Sequence, residues 1–215
     1  MGADFWRGTR VLITGCSGFV GAHLARRLVD LGAWVEGIDP AGDDSSCFRA
    51  HGLNKKLVVV RPRLGEFGLR MFYEDSVLEP PNVVFHLAGV SHIAYAQQHP
   101  QEAWDTNVRT TWAILEACRD LPELKAVVVA SSNHTIGPQA TWPATEDAPL
   151  NQRDVYGASK ICADVITQCY GQTLGVPTVA LRHVNCYGPA DPHASHLVTH
   201  CLLACLRGEA PVLRN

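Results

Sequence analysis

Three glycines at three-residue intervals, Gly15, Gly18 and Gly21, separate a short apolar run from an amphipathic stretch near the start of the chain. Arg10-Val11-Leu12-Ile13-Thr14 has the pattern of a strand buried on both faces, and Phe19 to Leu31 repeats apolar residues at helical spacing. A strand, a glycine turn and a helix in this order place the helix N-terminus at the strand's carboxyl end. Gly15 permits the tight turn, Gly18 lets a ligand approach the backbone, and Gly21 lets helix and strand pack closely. The free N–H groups and partial positive charge of the helix N-terminus suit a phosphate, so this turn is a candidate pyrophosphate cradle.

The chain beyond the turn continues the alternation. Trp34 to Ile38 reads as a second strand ending at Asp39, whose carboxylate can accept hydrogen bonds from ribose hydroxyls and would repel a 2′-phosphate, favouring NAD over NADP. A polar loop, Ala41 to Ser46, precedes a third strand at Leu57 to Arg61, and Val83 to Leu87 is a fourth, ending at Ala88-Gly89. A long helix is expected after Pro100, from Glu102 to about Cys118, then a strand at Ala126 to Ala130 closing in Ser131-Ser132. Asp154 to about Gly175 reads as helix, Thr178 to Arg182 as a sixth strand and Ala194 to Leu206 as a last helix. Strands alternating with helices predict an α/β protein with a doubly wound parallel sheet, the Rossmann fold.

Composition narrows the function classes. The 215 residues are 47% hydrophobic and 18% charged with a formal net charge of −3, enough for one well-cored domain and without the basic patch of a nucleic-acid binder. No apolar run reaches the length of a membrane span, and the first residues lack the apolar core of a signal peptide, so a cytoplasmic protein is expected. The eight cysteines form no C-x-x-C pair and read as reduced thiols. Cys16, inside the glycine turn, is open to two readings: a redox-sensitive thiol or a small residue tolerated in a tight loop. His193, His196 and His200 lie close together, but a zinc site would want a fourth ligand and supporting hydrogen bonds, so surface histidines and no metal are expected.

The second informative group is Tyr156-Gly157-Ala158-Ser159-Lys160. On a helix Tyr156 and Lys160 share a face, so a phenol and an ammonium can point into one cleft. A free tyrosine has a pKa of ~10, and an ammonium together with the cationic ring of NAD favours its phenolate. Tyr156 can then take a proton from a substrate hydroxyl while hydride leaves the same carbon. Ser132, at the carboxyl end of the fifth strand where ligands of open α/β sheets bind, is placed to hydrogen-bond that hydroxyl.

With these motifs the chain resembles the extended short-chain dehydrogenase/reductases, in particular the NAD-dependent nucleotide-sugar epimerase/dehydratase family. The resemblance runs through the glycine turn, VFHLAG (84–89), TNVRTTWAILEAC (106–118), VVVASS (127–132), YGASK (156–160) and LRHVNCYGP (181–189). It implies that Gly15, Ser17, Gly18, Phe19, Val20 and Gly21 hold the pyrophosphate and Asp39 the ribose, that Leu87, Ala88 and Gly89 line the cofactor, and that Lys160 and Tyr156 also meet it. Ser132, Tyr156 and Lys160 would be catalytic, and Ser132, Asn133, Tyr156 and Asn185 would contact a nucleotide-sugar substrate. Relatives dimerise through helices corresponding to Glu102–Cys118 and Asp154–Gly175, which here carry apolar residues beyond one stripe, so a homodimer is expected.

The chain also departs from the family. Arg63 stands where an aspartate usually recognises adenine. Asn133 and His134 stand where 4,6-dehydratases carry acid/base groups; Asn133 cannot donate a proton as an acid, which tilts the expectation from dehydration to epimerisation. Ser-Ser-Asn-His also resembles sugar-acid dehydrogenases, and Ile136 replaces a common tyrosine. Family members run on for roughly another hundred residues, so the expectation is a cofactor domain over 1–182 and an incomplete, truncated substrate-binding region over 183–215. C4 epimerisation through a transient 4-keto sugar leads, with a 4,6-dehydratase, a sugar dehydrogenase or a non-catalytic NAD-binding protein as alternatives.

Overall fold

The computed structural model describes residues 3–42, 45–53, 57–61, 79–139 and 142–212. Six strands, β1 (Arg10–Thr14), β2 (Trp34–Ile38), β3 (Val58–Val60), β4 (Val83–His86), β5 (Ala126–Ala130) and β6 (Thr178–Leu181), form one parallel sheet in the order β3-β2-β1-β4-β5-β6. This is the doubly wound order expected from the alternating pattern. Register brings Thr14 opposite both Ile38 and His86, and His86 opposite Val129, so the carboxyl ends of the four central strands open at one level.

The alternation of side chains along each strand explains why the interiors of β1, β4 and β5 are apolar on both faces. Val11, Ile13 and Val83 face one layer, with Ala22, Ala25, Leu28 and Phe48; Leu12, Val84, Val127 and Val129 face the other, with Ile114, Leu115 and Tyr170. Helix α1 (Phe19–Asp30) buries Ala22, Ala25 and Leu28 in the first layer. In the second, α5 (Thr110–Cys118) and α6 (Val155–Leu174) pack together against the sheet. Asp154 caps α6 by accepting from the Gly157 N–H at 2.9 Å, and Gly175 ends it in the left-handed region at φ 72°. Both caps lie at the sequence-read limits.

Four local readings change. Ser45 caps a short helix, α2 (Ser46–Ala50), which follows the expected polar loop in a stretch where no element was expected; it accepts from Phe48 N at 3.0 Å, and Cys47 and Phe48 are buried. One helical turn carries too little periodicity to announce itself. A helix at α3 (Ile93–Gln98) was not read. The expected Glu102–Cys118 helix begins at Pro100, as α4 (Pro100–Trp104), and passes through a π turn over Asp105–Arg109 before α5. The last helix, α7 (Leu197–Leu206), starts later than Ala194, because Asp191 accepts from His193 N, His196 Nδ1 and Thr199 Oγ1 and holds the preceding residues in turns. Arg63 lies outside the described residues.

A buried ion pair ties the site's strands to α6. Asp164, fully buried, accepts from Arg182 Nε at 2.8 Å and Nη2 at 3.0 Å, from Ser131 Oγ at 2.8 Å and from Gln168 at 2.5 Å. Burial alone would push this carboxyl up; the bonds from Arg182, Ser131 and Gln168 outweigh it and hold the group below the ordinary aspartate range. A depressed carboxyl contributes stability above the unfolded pKa of ~3.9 and loses it as pH falls through the folded value. Asp164→Ala strands the guanidinium, so urea unfolding should show a loss of about 3 kcal/mol. The same variant should lose less stability than the parent as the buffer is acidified below about pH 4.

Candidate active site

The carboxyl ends of β1 and β4 are where the chain's winding reverses, and a cleft of about 850 Å³ opens there. The glycine turn forms one wall. Gly15 has φ 70°, and a Cβ there would lie 2.8 Å from Ala88 N; at Gly21 it would lie 2.1 Å from Gly15 O. These two glycines bring the turn against β4 and α1 against the turn. Gly18 begins α1 with no side chain capping the helix, so its first N–H groups are left for a ligand. Ser17, Phe19 and Val20 line the cleft beside them.

Asp39 lines the same wall at the end of β2. Its Oδ2 accepts from Ser17 N at 3.0 Å and its Oδ1 from Ala41 N at 2.9 Å, leaving each oxygen a further lone pair. Cys16 is fully buried, and burial pushes its thiol up to about 12. Of the two readings of Cys16, the packed small residue is the one its burial supports: Sγ would lie 2.3 Å from a Cβ at Gly37, where β2 passes.

The opposite wall carries the candidate catalytic group. Ser132, Tyr156 and Lys160 all line the cleft and are all buried. Burial pushes the Tyr156 phenol above the ordinary range; the neighbouring Ser132 hydroxyl opposes the rise and the Asp154 carboxylate adds to it. This corrects the expectation of an ammonium-lowered tyrosine: Lys160 donates to Ala130 O at 2.9 Å. Its own ammonium is driven down to about 8 by burial. Leu87, Ala88, Gly89 and Asn185 line the cleft. Asn133 does not; it is exposed, and its backbone N–H donates to His183 O at 3.1 Å.

Sequence reasoning missed the polar framework beneath these groups. Asn107, in the π turn, bonds Val90 at both N–H and C=O and donates to Ser159 Oγ at 2.9 Å, joining the loop after β4 to α6. It was hidden inside a stretch read as regular helix. His86 is fully enclosed, with Nδ1 2.7 Å from Thr14 Oγ1 and Nε2 3.1 Å from Thr111 Oγ1. Thr111 donates its hydroxyl to Asn107 O, so His86 Nε2 carries the proton and the ring is neutral. Burial, then the nearby Lys160 charge, drive His86 down to about 3, which keeps it so.

A protein of this build stands among the Rossmann-fold dinucleotide-binding proteins of the short-chain dehydrogenase/reductase type. Residues 11–215 match the model of the NAD dependent epimerase/dehydratase family, and the chain belongs to that family. It is 27% identical over 224 residues to a CDP-glucose 4,6-dehydratase of Salmonella typhimurium, covering 99% of this chain and 62% of that protein. To a probable UDP-glucuronate 4-epimerase of Rhizobium meliloti it is 29% identical over 188 residues, covering 84% and 54%. The structure of a UDP-N-acetylglucosamine 4-epimerase from Methanobrevibacter ruminantium M1 has the same fold, with a TM-score of 0.81, 24% identity and coverage of 97% of this chain and 66% of that one. The chain thus spans about half to two thirds of the length of these relatives.

NAD, the family's cofactor, fits the residues present: the glycine cradle, the uncapped start of α1 and the lone pairs of Asp39 lie along one wall. Gly21→Ala forces a methyl group onto Gly15 O and should weaken NAD binding at least tenfold, as read by fluorescence titration with NADH. Asp39→Ser removes the charge that repels a 2′-phosphate and should narrow the preference for NADH over NADPH in the same titration.

Proposed function

We propose that this chain carries the cofactor-binding and proton-transfer machinery of an enzyme that epimerises a nucleotide-linked sugar at C4 through a transient 4-keto sugar. The observation that carries this reading is that Ser132, Tyr156 and Lys160, all buried, line the same cleft as the glycine turn. Residues 1–182 would form the cofactor-binding unit, with 183–215 opening the substrate-binding region. Asn185, at the mouth of the cleft, would meet the substrate's phosphates.

In this mechanism Tyr156 takes the proton of the sugar's C4 hydroxyl and returns it to the ketone oxygen after the sugar has turned. Ser132 hydrogen-bonds the same oxygen and holds it against Tyr156. Bound NAD supplies the reversible hydride acceptor at the same carbon. Lys160, pinned to Ala130 O at 2.9 Å, would hold the bound cofactor on the wall of the cleft beside Tyr156. Apolar Ala96, Ala103 and Val90 pack around Tyr156 and exclude water from it.

A 4,6-dehydratase is the second reading, because the relative so named aligns with 99% of the chain. Asn133 counts against it, having no acidic proton to deliver and an exposed position outside the cleft. A homodimer through α5 and α6 agrees with exposed apolar residues on both helices, Trp112 at 53% and Val165 at 53%.

Incubating the protein with a panel of nucleotide sugars and NAD separates the readings. The proposal expects a C4 epimer with no net NADH; a 4-keto-6-deoxy product would mean dehydration, and stoichiometric NADH a dehydrogenase. No product from any sugar would leave a cofactor-binding protein without turnover. Tyr156→Phe should cost at least ~100-fold in kcat while leaving NADH binding within a few-fold of the parent.

A further inference from the structure

His134 has no role assigned so far and Asp154 chiefly the cap of α6, yet the His134 ring packs against that of Tyr156 and bonds Asp154. The His134 ring centroid is 5.6 Å from that of Tyr156 at a 34° tilt. Its Nε2 is 2.7 Å from Asp154 Oδ2 and 2.7 Å from the Gln152 side-chain amide. A carboxylate only accepts, so Nε2 carries a proton toward Asp154, and the Gln152 amide is assigned with its oxygen to the ring. The His134 backbone N–H donates to Ser132 Oγ at 3.1 Å, and the Ser132 hydroxyl in turn favours ionisation of Tyr156. The second Asp154 oxygen caps α6 through Gly157 N.

We propose that His134 and Asp154 act as a positioning pair that sets the proton affinity of Tyr156: the Asp154 carboxylate opposes ionisation of the phenol, and the His134 N–H draws that charge away. The electrostatics of the two groups agree. The Asp154 carboxylate adds to the burial that raises Tyr156. Asp154 itself, although burial would raise it, is held low by the bonds from Gly157 and His134.

Other charged or titratable groups near the pair are accounted for. Lys160 bonds Ala130 O, His86 on β4 is neutral, and Glu102 on α4 accepts from Tyr95. His183, beyond β6, meets Val184 O, and Arg153 donates to Gln152 O. Among the described residues, none of these hydrogen-bonds to the Asp154 carboxylate or the Tyr156 hydroxyl.

The pair is tested by titrating Tyr156 in the whole chain, following its ring ¹³Cζ NMR signal assigned with Tyr156→Phe. Asp154→Asn keeps an oxygen for Gly157 N, so α6 remains capped, but removes the charge. Its Tyr156 midpoint should fall by about half a pH unit or more. His134→Leu removes the donor and leaves the carboxylate charge unshared, so the midpoint should rise. His134→Gln, which retains a donor, should titrate like the parent. A pair that merely holds structure would let the buried phenol relax toward the ordinary tyrosine range in both Asp154→Asn and His134→Leu. A fall in His134→Leu, or an unmoved midpoint in Asp154→Asn, therefore overturns the proposal.

The inference rests on Tyr156 as the proton-transfer group, but the titration reads the residue whether or not the chain turns over a sugar. In an active preparation, the acid limb of kcat/KM should move with the NMR midpoint. If the midpoints shift as stated and that limb does not, the pair stands and the role given to Tyr156 falls.

Discussion

The close approach of the glycine turn to the end of β4 is the constraint on which the rest of the molecule depends. Gly15 turns at φ 70° with Ala88 N 2.8 Å from where a side chain would begin, and Gly21 seats α1 on the Gly15 carbonyl. Only there can β1 and β4 lie side by side while their following segments diverge to opposite faces of the sheet. The gap between those segments is the cleft. A cradle for phosphate and a channel leading to Tyr156 are thus consequences of one packing requirement, met by backbone that carries no side chain.

Around that gap the protein buries an unusual amount of polarity, and almost all of it is paired. Asp164 with Arg182, Ser131 and Gln168 fixes the end of β5 to α6. His86 with Thr14 and Thr111, and Asn107 with Val90 and Ser159, fix the loop after β4 to the π turn and to α6. These bonds hold Ser132, Tyr156 and Lys160 in one arrangement. Helix α6 illustrates the division of labour: it turns Tyr156, Ser159, Lys160, Asp164 and Thr167 inward and leaves Val165 at the surface. An inward face that is polar is affordable only because each group has a partner, since an unpaired buried polar group costs about 1–3 kcal/mol.

Much of this was legible in the order of residues, for reasons visible in particular elements. A strand buried on both faces is apolar through its interior, so β1, β4 and β5 announce themselves. A capped helix of 20 residues such as α6 does so too. Helices of five or six residues, α2 and α3, do not span enough turns to show a period. The π turn at Asp105–Arg109 was invisible because α5 after it is largely apolar rather than striped, so the rotation that one extra residue imposes leaves no mark on the pattern. The neighbours of Asn133 in sequence suggest a place at the substrate, whereas the fold leaves its side chain exposed and outside the cleft lining.

The sequence by itself determined the parallel α/β build, the glycine cradle with Asp39 beside it, and the Ser132, Tyr156 and Lys160 trio, because each depends on local spacing or on residue types with few uses. Tertiary structure alone decided the protonation chemistry. Tyr156 is driven up rather than down, Lys160 falls to about 8 and His86 to about 3, because burial contributes the largest effect in each case. Burial and the position of His134 against Tyr156 arise only when segments distant in the chain are brought together, and no spacing along the chain encodes a desolvation energy.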